Sequence, residues 1–392
     1  MLVRTGALPD YVIVDAQRML PRFWATAWSL SLQARAPSEN TRKMRLRHVD
    51  AFYVFTDHRF GLDAFDEAMS TRDAEGVRDM VDAFFIDLTA EPDYNTTAVQ
   101  RWDSVRGFVQ HLARQLAPSS FEWSSLSSTL YAMGRMRRPA HGRFTFIRAL
   151  PAATLIDLLK IAHFDASRNP FKGESLRARN WLIVNLLLMV GLRRGELLLL
   201  TCDAMKSDVD IESGELIHWL DITTAYDSDP RATRPSMKTA HSHRQVPVSA
   251  ELAALFEWYV SEHRARDPDH GLLITARSGA PLSAESVTKI FDKLSRALGT
   301  EPRRTFFERS GGKESISPHD LRHTCATARW SMFMAHDGDR DLTLQRMRAF
   351  FGWSIKSDMP EHYARAAVQE DLLRTWSRLF DSRVSLLRGI PT

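Results

Sequence analysis

From residue 21 to about residue 138, apolar residues recur at steps of three and four, which predicts a run of helices. The first holds Phe23, Trp24, Trp28 and Leu30, and the second begins near Thr41 with Met44, Val49, Phe52 and Phe55. A third spans about Arg72 to Leu88 with Val77, Met80, Val81 and Phe84. A fourth starts after Asn95 and carries Val99, Trp102, Val105, Val109 and Leu112. Each pattern leaves one stripe to bury, so residues 21–138 read as a small all-α domain. Residues 1–20 form an extension without a clear assignment, and Gly134, Pro139 and Gly142 break the helical pattern ahead of a basic linker at 139–147.

A second domain, 148–392, opens with a helix from Leu150-Pro151 to about Ile161, followed by the apolar helix Arg177 to Leu192. The period then changes to two. Leu216, His218, Leu220 and Ile222 alternate with Ile217, Trp219 and Asp221 as a strand would, and Gln245-Val246-Pro247-Val248 reads as a later strand of the same small sheet. Helices return at 250–264, 284–298 and 318–334. The predicted fold is mainly α, with a mixed α+β second domain built around a small antiparallel sheet.

Composition narrows the class. A chain of 392 residues with 44% hydrophobic and 26% charged residues suits a soluble globular protein of two or three domains. The most apolar segment, Trp181 to Leu192, is interrupted by Asn185, ends in Arg193-Arg194 and is too short to cross a bilayer. No apolar run follows the N-terminus, so neither a signal peptide nor a membrane partner is expected. Two cysteines, Cys202 and Cys325, exclude a disulfide framework and fit a reducing cytoplasm. The net charge of +4 permits nucleic acid without requiring it.

The candidate chemistry centres on Ser317-Pro318-His319-Asp320-Leu321-Arg322-His323-Thr324. Ser317 is a good N-cap, Pro318 suits the first helical position, and Asp320 sits where a capping-box carboxylate reaches back. His319 and Arg322 then share a face of the first turn, where a helix N-terminus also favours an anion. Together they describe a phosphate clamp. His319 and His323 are spaced like the two ligands of a zinc-protease helix, but that motif needs Glu, and Asp320 is one methylene too short. Gly311-Gly312-Lys313-Glu314 lacks the spacing and the Ser/Thr of a P-loop, so neither metal nor nucleotide is expected as cofactor.

Basic residues recur on successive elements of the first domain. Arg42, Lys43, Arg45 and Arg47 open the second helix, Arg101 and Arg106 lie on the fourth, and Arg135, Arg137 and Arg138 follow at the linker. A domain wrapping a DNA duplex needs such a distribution, and these residues are the candidate DNA contacts.

Three further stretches lie around the clamp. Gly191-Leu192-Arg193-Arg194-Gly195-Glu196-Leu197 closes the apolar helix, and Phe351-Gly352-Trp353-Ser354 and Glu361-His362-Tyr363-Ala364-Arg365 follow the histidine box. In this order and spacing the boxes resemble those of the tyrosine recombinase (phage integrase) family of DNA breaking and rejoining enzymes, from about residue 20 onward. The resemblance implies a helical SAM-like core-binding domain ahead of a catalytic domain. It implies that Arg193 and Arg322 hold the scissile phosphate, that Tyr363 is the nucleophile forming a 3′-phosphotyrosyl link, and that His319 assists proton movement. Trp353 occupies a position more often held by histidine, which suggests packing beside one indole hydrogen bond. Lys238 resembles the lysine that protonates the departing 5′-oxygen, although the segment from Thr223 to Ser236 is longer than the family's usual hairpin. Glu196 and His323 look like supporting residues. Ten residues separate Trp353 from Tyr363, one more than the family pattern, so a slightly extended tyrosine loop is expected.

The tail from Ala366 to Arg388 carries Val368, Leu372, Trp376, Leu379 and Phe380 on one face. By the resemblance, it would pack on a neighbouring protomer in a homotetramer assembled on two sites of double-stranded DNA. The expected protein is the integrase of a mobile element, cytoplasmic and nucleoid-associated when acting. A type IB topoisomerase-like relaxing enzyme and a non-catalytic DNA-binding regulator are the alternatives.

Overall fold

The computed structural model describes the chain except residues 7–8, 35–37, 91–95, 117–119, 137–148, 224–228, 232–234, 236, 238–241, 266–269 and 376–392. It divides into two compact units, Met1–Thr145 and Phe146–Thr392.

In the first unit, strands β1 (Leu2–Arg4) and β2 (Tyr11–Ile13) pair antiparallel, with Leu2 opposite Ile13. Six helices follow: α1 (Phe23–Ala34), α2 (Glu39–Phe60), α3 (Ala64–Thr71), α4 (Ala74–Ala90), α5 (Thr96–Leu116) and α6 (Phe121–Met136). Their core is aromatic, with Phe52 meeting Phe65 and Phe84 edge-on at centroid distances of 5.2 Å.

Residues 1–20 belong to this unit through both packing and charge. Tyr11 and Ile13 lie in its core, and the buried Arg22 guanidinium bridges Asp15 at 3.1 Å to Asp57 at 2.5 Å. Four sequence expectations change here. The stripe of α1 is Ala25, Trp28 and Leu32, while Phe23 and Leu30 face solvent. Met44 on α2 is also exposed. The expected third helix is preceded by the separate helix α3, because Arg72 takes a left-handed conformation at φ 61° and Asp73 then accepts from the Gly76 N–H at 2.9 Å. Helix α6 runs through Gly134 and so carries Arg135, which the sequence placed in a linker.

The second unit contains α7 (Ala152–Ala162), α8 (Glu174–Asn185), α9 (Arg194–Leu199) and the sheet β3 (Met205–Val209), β4 (Leu216–Ile222), β5 (Arg244–Val248). After these come α10 (Ala250–Trp258), α11 (Ala284–Ala297), α12 (Thr300–Arg309), α13 (Pro318–Asp337), α14 (Arg340–Phe351) and α15 (Met359–Thr375). The sheet is antiparallel in the order β3-β4-β5, and Pro247 is accommodated because β5 is an edge strand of it. On β4 the alternation buries Leu220 and Ile222 as expected.

The apolar helix forms the axis of this unit. It continues from α8 through a π-helical turn, Leu186–Val190, and Leu182, Ile183, Leu186, Leu187 and Val190 are all fully buried. Each large side chain so buried contributes about 1.5–3 kcal/mol. Helix α13 packs across that turn and against α14 and α15. Gly191 ends the turn at φ 64°, where an added Cβ would lie 2.4 Å from Phe351 Cε1 and 3.1 Å from Cys325 Sγ. Only glycine meets both demands.

Candidate active site

The start of α13 forms as its sequence dictates. Asp320 Oδ2 accepts from the Ser317 N–H at 2.9 Å and from its hydroxyl at 2.7 Å, while Oδ1 takes an ion pair from Lys313 Nζ at 2.8 Å. This locks the turn that carries His319, exposed at its surface, and Arg322, buried beneath.

Arg193 is the N-cap of α9, where its charge opposes the helix dipole. Glu196 offsets this by accepting the Arg193 N–H at 2.9 Å and its Nη1 at 2.5 Å. The same carboxylate lies 3.1 Å from Arg244 Nη2 and 3.6 Å from Arg322 Nη1. Three guanidinium groups from α9, β5 and α13 therefore meet one buried acid. Burial alone would raise the Glu196 pKa, but Arg244, Arg322 and Arg193 outweigh it and hold the carboxyl below its ordinary value. Arg322 moves the other way. Burial first, then the like charge of Arg193, pushes its pKa down to about 10, because one carboxylate shared among three cations neutralises none of them fully.

Backbone carbonyls fix these guanidinium groups. Arg322 donates to Gly191 O and, at 3.1 Å, to Phe351 O. Arg244 donates to Phe350 O at 2.7 Å and Ser242 O at 2.9 Å. Arg193 also reaches Ser242 Oγ at 3.3 Å. The glycine box and the Phe351-Gly352-Trp353 box thus share one arginine, which explains why both must stand near the histidine box.

Tyr363, on α15, is buried against this cluster. Its ring stacks on Trp353 at 5.4 Å and 10°, and Trp353 stacks on Phe351 at 4.8 Å and 18°. The Arg322 guanidinium lies over both of those rings, 5.1 Å from Phe351 and 5.8 Å from Trp353. The His323 ring is 5.2 Å from Tyr363, and the His319 ring is 4.3 Å from His323. Arg193, Glu196, His319, Arg322, His323, Trp353 and Tyr363 are accordingly brought together. Lys238 lies outside the described residues, although Ser242, just ahead of β5, and Arg244, at its start, reach the centre.

Arg244 is the member that sequence reading missed. It opens a strand whose apolar alternation drew attention to Val246 and Val248, and nothing local marks its guanidinium as buried.

Among the candidate DNA contacts of the first unit, Arg42 is paired with Asp10 at 2.5 Å and Lys43 lies 5.7 Å over the Tyr11 ring. Both are thus engaged by the N-terminal hairpin. Arg45 and Arg47 are exposed, and Arg45 shares a cavity of about 350 Å³ with Gln100, Asp103 and Ser104 of α5. Arg106 pairs with Asp103 at 3.8 Å, and Arg101 is half-buried. Arg137 and Arg138 lie outside the described residues, as do Trp376, Leu379 and Phe380 of the tail. Val368 of the same stripe is exposed. Among the described residues, no group of three or more potential ligands could hold a metal, and no helix is long and apolar enough to cross a membrane.

No curated protein matches the chain. Solved structures resemble it in fold. The XerH site-specific recombinase bound to palindromic difH substrate, a post-cleavage complex, aligns with a TM-score of 0.54 at 15% identity, over 90% of this chain and 84% of that one. The pre-cleavage XerH complex with difH gives 0.51 at 15%, over 91% and 84%. Residues 157–369 match the phage integrase family, a span that holds the arginine cluster and Tyr363 alike, and the chain belongs to that family.

Proposed function

We propose that this protein is a site-specific recombinase that cuts and rejoins duplex DNA with Tyr363 as nucleophile. One observation carries the reading: Glu196 gathers Arg193, Arg244 and Arg322 beside the pocket that holds Tyr363. Three cations and one carboxylate leave a net charge of +2 in a largely buried site. A phosphodiester carries one negative charge and its pentacoordinate transition state carries two. Such a centre therefore favours the transition state over the ground state.

In the proposed step the Tyr363 oxygen attacks phosphorus and the bond to the 5′-oxygen breaks. The phenolic proton passes to the His319–His323 side, and the departing 5′-oxygen takes a proton from Lys238. Attack by a 5′-hydroxyl on the phosphotyrosine reverses the step, so bond energy is retained without nucleotide hydrolysis. Arg193 and Arg322 bind the non-bridging oxygens, Glu196 positions both, and Trp353 packs the tyrosine ring. The substrate is double-stranded DNA of a mobile element, which makes the nucleoid the place of action, and two sites are bridged by a homotetramer joined through the tail.

Tyr363→Phe tests this directly. It should abolish the covalent adduct on a nicked suicide duplex while leaving DNA binding intact, since only the nucleophilic oxygen is removed. An adduct formed by the mutant protein would refute the assignment.

A further inference from the structure

The small sheet of the second unit ends in an open edge. Strand β5, which carries Arg244 to the centre, forms one edge, and β3 forms the other. The Asp221 N–H donates to Ala204 O at 2.8 Å, and the Asp210 N–H to Glu215 O at 2.9 Å. Bonded pairs alternate along an antiparallel ladder, so Ala204, Lys206, Asp208 and Asp210 bond toward β4. Met205, Ser207 and Val209 therefore turn their N–H and C=O groups outward. Ser207, Asp208 and Val209 are exposed, and the Val209 N–H is taken by its neighbour's carboxylate, Asp208 Oδ1, at 2.8 Å. An uncovered edge of this kind is a template for another strand.

The side chains specify which strand fits. Strand β3 reads Met205-Lys206-Ser207-Asp208-Val209, with a cation and an anion placed symmetrically about Ser207. Antiparallel pairing of two copies about a two-fold axis at Ser207 sets Met205 of one copy against Val209 of the other. The same register sets Lys206 against Asp208 at both ends. The outward groups of Ser207 then bond those of its own counterpart, and those of Met205 bond those of Val209. A shift by two residues is the smallest that keeps the outward groups bonded. It would set Lys206 opposite Lys206, or Asp208 opposite Asp208, and like charges directly opposed are destabilising. One register thus satisfies backbone and charge together.

We propose that two copies of this chain associate through β3, which joins their sheets into one antiparallel sheet in the order β5-β4-β3-β3-β4-β5. Val209 of each copy covers the partly buried Met205 of the other, on the face that also carries Leu216 and Leu220. Lys206, whose ion pair within its own chain is Asp203 at 3.8 Å, gains Asp208 of the second copy on the face of Ile217 and Trp219. The contact lies on the edge opposite β5 and uses neither the centre nor the tail, so it does not depend on the recombinase reading. Five residues a side make a small interface, so dimers should form as concentration rises and dissociate on dilution.

Sedimentation velocity of the full chain without DNA, over a concentration series, tests this. The wild type should shift from monomer to dimer. Lys206→Asp and Asp208→Lys each set like charges opposite one another at two places, and each should weaken dimerisation about ten-fold. Mixed in equal amounts, the two variants complement each other, and the mixed dimer should form as readily as the wild-type one. A merely local loss of structure would not be rescued in this way. Ser207→Cys should cross-link to its own counterpart under mild oxidation, because bonded pairs stand about 5.5 Å apart between Cα atoms, within disulfide reach. Val209→Cys should not, since Met205 is its opposite. A wild type that stays monomeric, a charge variant that associates as before, or an equimolar mixture as weak as its components would overturn the proposal. So would cross-linking through Val209→Cys in preference to Ser207→Cys.

Discussion

Replacing Glu196 by glutamine removes the one negative charge that three arginines share, with almost no change of shape. The side chain is 2% exposed, and its oxygens contact Arg193, Arg244 and Arg322 at 2.5, 3.1 and 3.6 Å. Glutamine also turns an NH₂ group toward one of those guanidinium groups. Breaking a buried ion pair from one side costs about 3–5 kcal/mol, because the partner charge stays buried and unpaired. For a unit of this size that corresponds to a fall in melting temperature of about 6–20 °C at pH 7. The pH dependence follows from the depressed carboxyl pKa. The wild-type advantage is fully present above the ordinary value of 4.5 and disappears as pH falls through the lower folded value. Thermal melts of Glu196→Gln and wild type at a series of pH values read both effects. Equal melting temperatures at pH 7, or a gap that persists unchanged in acid, would show that Glu196 does not hold the cluster.

Other expectations follow from the same geometry. Gly191→Ala should destabilise by roughly 2–5 kcal/mol, combining overpacking against Phe351 and Cys325 (about 1–3 kcal/mol) with a left-handed alanine (about 1–2 kcal/mol), and denaturant unfolding within about 0.5 kcal/mol of wild type would contradict this. Deleting the chain after Ala367 should leave cleavage of one site measurable and strongly reduce recombination between two, since the tail is proposed to join protomers. A truncated protein that melts far below wild type and does neither would place the stripe on its own protomer. Wild-type adduct formation should survive excess chelator, and strict dependence on a divalent metal would refute the proposed chemistry.

Local chemistry settled much of this protein before any folding. The Ser317-Pro318 start and the Asp320 carboxylate specify the α13 N-terminus through contacts three residues apart, and the structure closes that box as written. The stripes of α4 and α5 and the alternation of β4 are likewise local and legible. Elements with little to bury were not. Strand β3 has no buried residue and exists because β4 offers it a partner, and α12 places a single side chain in the core. The break between α3 and α4 turns on the backbone conformation of Arg72, which no hydrophobic period encodes.

The boxes themselves were readable as a set through their family resemblance, but their meeting point was not. Arg193 meets Glu196 three residues along the chain, but Arg244 and Arg322 come to that carboxylate from β5 and α13, and Tyr363 of α15 packs beside them on Trp353. Arg244 shows the limit most clearly. Its charge is ordinary at the start of an edge strand, and only burial beside Glu196, with carbonyls of Ser242 and Phe350 as partners, makes it part of the centre. Sequence dictates which groups can bond nearby in the chain, whereas a buried charge finds its partners only when distant segments close around it.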